Sequence, residues 1–214
     1  VVNEPRVDVL VPVYNRPELL IDAIESLRQQ TWANLRIVVY DDGSTQPHPL
    51  PDDSRVVRLR GEVQLGVGHA RNQLLKQVRS PLACWQDSDD LSHPDRIARQ
   101  VRYMLANPEC EMLFSWMWFF QHPGPHTRTR TVHRVDTSRF PDPNGFANNF
   151  TFATSMFRAA LAAQPFPEER RRGGEDVVWV RAHVDAGRVV RHLAEPLYYC
   201  RRHPGRLTFQ RRAP

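Results

Sequence analysis

The stretch "VDVLVPVYNRPELLIDAIESLRQQ", residues 7–30, decides the fold class. Residues 7–15 are a short apolar, β-branched run ending in turn chemistry, the pattern of a buried strand. From Arg16 the periodicity changes. Pro17 suits a first helical turn, and Leu19, Leu20, Ala23, Ile24 and Leu27 recur at helical spacing, so an amphipathic helix follows.

The same alternation continues outward. "LRIVVYDDGS" (35–44) predicts a second strand stopped by Asp41-Asp42-Gly43-Ser44, and "RVVRLR" (55–60) a third. "VGHARNQLLKQVR" (67–79) predicts a helix, and "PLACWQ" (81–86) a fourth strand delivering "DSDD" at its carboxyl end. Apolar strands interleaved with helices imply an α/β domain with a largely parallel sheet covered on both faces. Ser92 and Asp95 match a capping box for a helix packed by Ile97, Val101, Met104 and Leu105. "MLFSWMWFF" (112–120) reads as a buried strand, and "TFATSMFRAAL" (151–161) as strand-like, then helical. A helix is expected over 173–187 and a last strand over 195–205. Residues 121–146, rich in Pro, Gly, His and Arg, predict a long mobile connection over the site.

Composition narrows the function. The 214 residues are 41% hydrophobic, enough for a core, and no apolar run approaches a membrane span. The net charge is +5 and Lys76 is the sole lysine, so the positive charge is almost all arginine, which favours bidentate phosphate and carboxylate contacts. No patch of interleaved basic and aromatic residues points to nucleic acid. Cys84, Cys110 and Cys200 are too few and scattered for a disulfide framework, which suits a reducing cytoplasm.

Ligands of such sheets bind beyond the carboxyl ends of the strands, and Asn15, Asp41-Asp42 and Asp87-Ser88-Asp89 all fall there. Three carboxylates within four positions repel unless a cation or solvent compensates. Asp87-x-Asp89 offers oxygen ligands for a hard divalent cation; a solvated surface turn is the plainer account. Asp41-Asp42-Gly43-Ser44 is either a strand-ending turn or a carboxylate aimed at a ligand. "GVGHARN" (66–72) lacks the third glycine of a dinucleotide fingerprint, and Arg71 either faces a ligand or solvates its helix. Glu175-Asp176 either complements a helix N-terminus or holds a general base there.

The elements "VLVPVYNRPELLIDAIESLRQQT", "IVVYDDGS", "GVGHARN", "DSDD", "GGEDVVWVRAHVDAG" and "YYCRRHPGRLT" occur in the order and spacing of the family-2 inverting glycosyltransferases. Over residues 7 to 208 the chain resembles that family. The resemblance implies the GT-A fold: one catalytic domain, 1–214, with a Rossmann-like nucleotide-binding half at about 5–100 and an acceptor-binding half at about 101–208. It implies that Pro12, Tyr14, Asn15, Asp41, Arg71, Asp87 and Ser88 bind a nucleotide-sugar. Among these, Asp41 would recognise the base, Arg71 would line its pocket and Asp87 would lie near the ribose. Asp89 and His203 would hold Mn²⁺ or Mg²⁺ as the metal cofactor. Asp176 would be the catalytic base, with Glu175 on the acceptor side. Tyr40 stands where the family commonly has a small aliphatic residue.

The implied reaction is transfer from a nucleotide-diphosphate sugar, most commonly a UDP-sugar, to a hydroxyl of a saccharide or glycoconjugate, as in polysaccharide biosynthesis. The implied setting is the cytoplasm, compatible with peripheral association at the inner face of the membrane. A nucleotidyltransferase acting on sugar phosphates, or a non-catalytic nucleotide- or carbohydrate-binding module, is the alternative.

Overall fold

The computed structural model describes residues 4–121, 131–133, 151–169 and 174–203. Among them the first elements are strands β1 (Val7–Val13), β2 (Leu35–Asp41), β3 (Val56–Arg60) and β4 (Leu82–Trp85), with helices α1 (Pro17–Arg28) and α2 (Val67–Leu75). Next come β5 (Leu91–Ser92), α3 (Arg96–Ala106), β6 (Met112–Gln121) and β7 (Thr131–His133). The last elements are β8 (Met156–Arg158), flanked by short 3-10 turns, α4 (Glu175–Asp185) and β9 (Val190–Arg202).

One mixed, mostly parallel sheet joins these strands in the order β3-β2-β1-β4-β8-β6-β9-β5, with β7 beside β6. β1 pairs parallel with both β2 and β4, placing Val13 opposite Asp41 and Leu10 opposite Trp85. The carboxyl ends of these three strands therefore share one edge.

Successive side chains of a strand face opposite ways, and here both faces are covered. Val7, Val9, Val11 and Val13 pack with Leu20, Ile24 and Leu27 of α1 and Ile97, Val101 and Met104 of α3. On the other face Leu10 and Val38 join Leu74 of α2 and Trp179 and Val180 of α4. Each fully buried aliphatic side chain contributes about 1.5–3 kcal/mol, which holds α1 and α3 on one face and α2 and α4 on the other. Among the described residues no helix is long and apolar enough to cross a membrane.

Asp8 is the polar exception in β1. It is completely buried, yet it accepts hydrogen bonds from Arg36 Nε and Nη2 (both 2.9 Å), Arg79 N (2.7 Å), Ser80 N (2.9 Å) and Ser80 Oγ (2.7 Å). Burial would raise its carboxyl, but the Arg36 guanidinium and the Arg79 and Ser80 donors outweigh it and hold it below its ordinary value. A depressed carboxyl stabilises the fold above its unfolded pKa, and that stability is lost as pH falls through the folded value. Asp8→Asn is therefore expected to cost about 2–3 kcal/mol at pH 7. The gap from wild type should narrow below about pH 4; urea titrations at both pH values check this, and a pH-independent gap would contradict it.

Four local expectations change in the folded chain. The Ser92–Asp95 capping box does not form: Asp95 precedes α3 without a side-chain cap bond. Ser92 instead donates to Gln86 Oε1 (2.7 Å) and lies in β5, while Asp95 accepts from the Thr31 hydroxyl (2.9 Å). Leu105 is 46% exposed and does not pack the helix. The last strand begins at Val190 rather than 195, because β6 runs parallel beside it from Met112 onward. The connection expected over 121–146 contains β7, antiparallel to β6, and the rest of it lies outside the described residues.

Candidate active site

The site is built on the shared strand edge. Pro12 near the end of β1 and Tyr14 just after it are partly buried, and Asn15 takes a left-handed φ of 49° beyond the strand end. Asn15 ties two loops together: its N–H donates to Ser44 Oγ (2.8 Å), and its Oδ1 accepts from Thr45 N (2.9 Å). At the end of β2, Asp41 accepts from Ser44 N (2.9 Å) and from Arg60 Nη1 (3.0 Å). Asp42 turns the other way and accepts the N–H groups of Leu65 (3.1 Å) and Gly66 (2.7 Å). Burial raises the Asp42 carboxyl despite these two donors. Of the two adjacent acids, Asp42 thus anchors the 61–66 loop. A Cβ on Gly43 would sit 2.4 Å from the Val63 carbonyl carbon, so this turn admits only glycine.

Beyond β4, Asp87, Asp89 and Asp90 place their carboxylate oxygens within 4.8 Å of one another. Asp89 is 4% exposed and Asp90 0%. Like charges at such depth persist only with compensation. Asp90 Oδ1 accepts the Arg201 N–H (2.7 Å), and the Asp89 carbonyl accepts from Arg201 Nε (3.0 Å). Asp89 Oδ2 accepts from Arg16 Nη1, and His203 Nε2 lies 2.9 Å from the same oxygen. Ser88 is buried within this turn.

The scaffold beneath the acids was not visible in the sequence. Gln86 Nε2 donates to the carbonyls of Asp87 (3.0 Å) and Asp90 (2.9 Å). Tyr198 Oη accepts the Asp87 N–H (3.1 Å), and burial beside Asp90 and Asp87 pushes its hydroxyl well above its ordinary pKa. Arg96, fully buried, donates to Trp85 O (2.8 Å), Ala153 O (3.0 Å) and Gln86 Oε1 (3.1 Å), and lies over the Tyr198 ring at 4.9 Å. Nothing in an R-rich composition distinguishes Arg16, Arg96 and Arg201 from solvated arginines; only their tertiary partners do.

Arg71 joins this edge to α4. Its Nη1 donates to Glu175 Oε1, its Nη2 lies 3.8 Å from Asp87 Oδ1, and its guanidinium sits 4.4 Å from the Phe152 ring centre. Glu175 is 4% exposed, and its Oε2 has no hydrogen-bond partner among the described residues. Gly174, in the left-handed region at φ 87°, starts α4, and Asp176 follows, half-buried, with Oδ1 accepting the Val177 N–H (2.9 Å). Asn72 holds the neighbouring loop through both backbone groups of Phe166 (3.0 and 2.7 Å). A Cβ on Gly68 would meet Pro167 O at 2.8 Å. The "GVGHARN" segment thus clamps the two parts of the chain together. Arg71 and Glu175 meet directly, as do Asp89 and His203; Asp41 is bound up with Arg60.

Asp87, Asp89 and Asp90, with His203 beside Asp89, form a donor set that could hold a metal ion, and its oxygens are of the kind that suit a hard divalent cation.

The chain matches the family model described as glycosyl transferase family 2 over residues 8–162. It is 29% identical over 130 residues to an uncharacterized glycosyltransferase of Methanocaldococcus jannaschii, covering 57% of this chain and 45% of that protein. An uncharacterized glycosyltransferase of Rickettsia felis is 34% identical over 111 residues, covering 50% and 18%. Among solved structures, S. aureus TarS 1–349 in complex with UDP-GlcNAc superposes with a TM-score of 0.70 at 23% identity, covering 95% of this chain and 60% of that one. The mannosyltransferase PcManGT from Pyrobaculum calidifontis, in complex with GDP-Man and Mn²⁺, gives 0.66 at 19%, covering 96% and 59%. The chain therefore spans about half the length of the M. jannaschii relative, and its fold is that of these two solved structures.

Proposed function

Because this chain belongs to glycosyl transferase family 2, we propose that it is an inverting, metal-dependent glycosyltransferase using a nucleotide-diphosphate sugar. The observation that carries this reading is the cluster of Asp87, Asp89 and Asp90 at the carboxyl edge of the sheet, with Asp89 and Asp90 buried and Asp87 partly exposed. The TarS and PcManGT complexes, with UDP-GlcNAc and with GDP-Man and Mn²⁺, support a nucleotide-sugar donor.

In this reading residues 5–100 carry the donor side and 101–208 the acceptor side. Asp41 receives the nucleobase, with Pro12, Tyr14, Asn15 and Arg71 lining the donor side, and Asp87 and Ser88 lie at the ribose. Asp89 and His203 hold Mn²⁺ or Mg²⁺, which when bound supplies positive charge to a departing diphosphate. Asp176 accepts the proton of the acceptor hydroxyl as that oxygen attacks the anomeric carbon opposite the leaving group. Attack on that face inverts configuration. The negative charge of Asp176 suits the first turn of α4, and Arg71 fixes Glu175 beside it on the acceptor side. The acceptor is a saccharide or glycoconjugate hydroxyl.

A thermal-shift panel of UDP-, GDP- and dTDP-sugars with and without Mn²⁺ tests the donor. At least one is expected to raise the melting temperature by several degrees with Mn²⁺ and by less without it. No shift from any nucleotide would refute the donor site.

A further inference from the structure

We propose that Arg16 stands in for the divalent cation on Asp89 Oδ2 in the ligand-free protein, so that a metal takes that oxygen only by displacing its guanidinium. The inference rests on the reading of Asp89 as a metal ligand and goes beyond it. Buried like charges need a cation at all times, not only during turnover. Arg16 supplies one: its Nη1 donates to the Oδ2 of Asp89, the oxygen that also faces His203 Nε2 at 2.9 Å. One carboxylate oxygen offers about two lone-pair sites, so this oxygen cannot keep both partners and also ligate a metal.

The surroundings suit an exchangeable side chain on a fixed base. The Arg16 side chain is 22% exposed, against 5% for that of Asp89, so it reaches in from the rim. Its backbone is pinned between Asn15, tied to Ser44 and Thr45, and Pro17, the first residue of α1. Arg16 makes no side-chain cap bond to α1, so withdrawing it unmakes no helix contact of that kind. Arg201 meanwhile grips the Asp89 carbonyl and the Asp90 carboxylate, so the acids hold their places while the guanidinium leaves.

Titration calorimetry with Mn²⁺ alone tests this. Removing a competing, partly exposed charge-assisted bond is expected to tighten Mn²⁺ binding roughly three- to tenfold. Arg16→Met, which keeps an apolar stem, should show that gain; Arg16→Gln serves as a second variant, and circular dichroism confirms that each is folded. Asp89→Asn should lose Mn²⁺ binding. If Asp89→Asn loses the metal while Arg16→Met binds it no tighter than wild type, the role of Arg16 is overturned and the metal site stands. A guanidinium that served only as a diphosphate ligand would give that pattern, with UDP binding weakened and Mn²⁺ alone unaffected. If wild type and both Arg16 variants take up no Mn²⁺, the metal reading itself falls, and this inference with it. Uptake by the Arg16 variants alone would be its strongest form.

Discussion

Asp176→Asn is expected to lower kcat by about 10²–10⁴-fold, the usual worth of a positioned base, while affinity for UDP with Mn²⁺ stays near wild type. The substitution nearly preserves shape and removes basicity. Asp176 is half-buried at the start of α4, whereas the groups proposed to hold nucleotide and metal lie at the carboxyl ends of β1, β2 and β4, in α2 and just after β9. The measurement is release of nucleoside diphosphate from the donor selected by thermal shift, with the melting temperature taken on the same preparation. A residue that merely complements the helix N-terminus would show about 0.3–1 kcal/mol of lost stability and near-normal turnover. Near-wild-type turnover would remove Asp176 from the chemistry.

Asp89→Asn is expected to abolish the enhancement of UDP binding by Mn²⁺ and to lower turnover by about 10³-fold or more, since a metal's charge is worth several kcal/mol to a departing diphosphate. Asp89 is the acid contacted by both Arg16 and His203, and it lies deeper than Asp87, whose side chain is 29% exposed. The Asn side chain keeps the volume, so the turn held by Gln86, Tyr198 and Arg201 should survive. Titrating UDP at several fixed Mn²⁺ concentrations separates the two effects. If the variant retained the wild-type Mn²⁺ dependence, Asp89 would not be the metal ligand.

Much of the sheet from β1 to β4 is legible in the sequence alone. Val7–Val13, Leu35–Asp41 and Leu82–Trp85 read as buried strands because apolar side chains fill both faces of each, leaving a run that solvent cannot interrupt. The acids at their ends stood out because carboxylates do not gather beside a core without reason. Legibility failed where a choice depended on a distant partner. Ser92 and Asp95 have a good capping pattern, yet Gln86 and Thr31 take their side chains. The two-residue strand Leu91–Ser92 has no periodicity of its own and exists because Tyr198 and Tyr199 lie opposite.

The amino-acid sequence by itself determined that this protein has an α/β core with a cluster of acids at the mouth of its sheet. Periodicity and turn chemistry act over a few residues, and those suffice to set strand, helix and strand end. Only the tertiary structure decided what each charge does. Asp42 anchors a loop while Asp41 pairs with Arg60, Asp90 accepts the backbone N–H of Arg201 across 111 residues, and Arg71 reaches Glu175 across 104. A carboxylate or guanidinium has the same local signature whether it faces water or a buried partner. Its role is settled only when folding removes the water and leaves a particular backbone N–H or an oppositely charged group to compensate it.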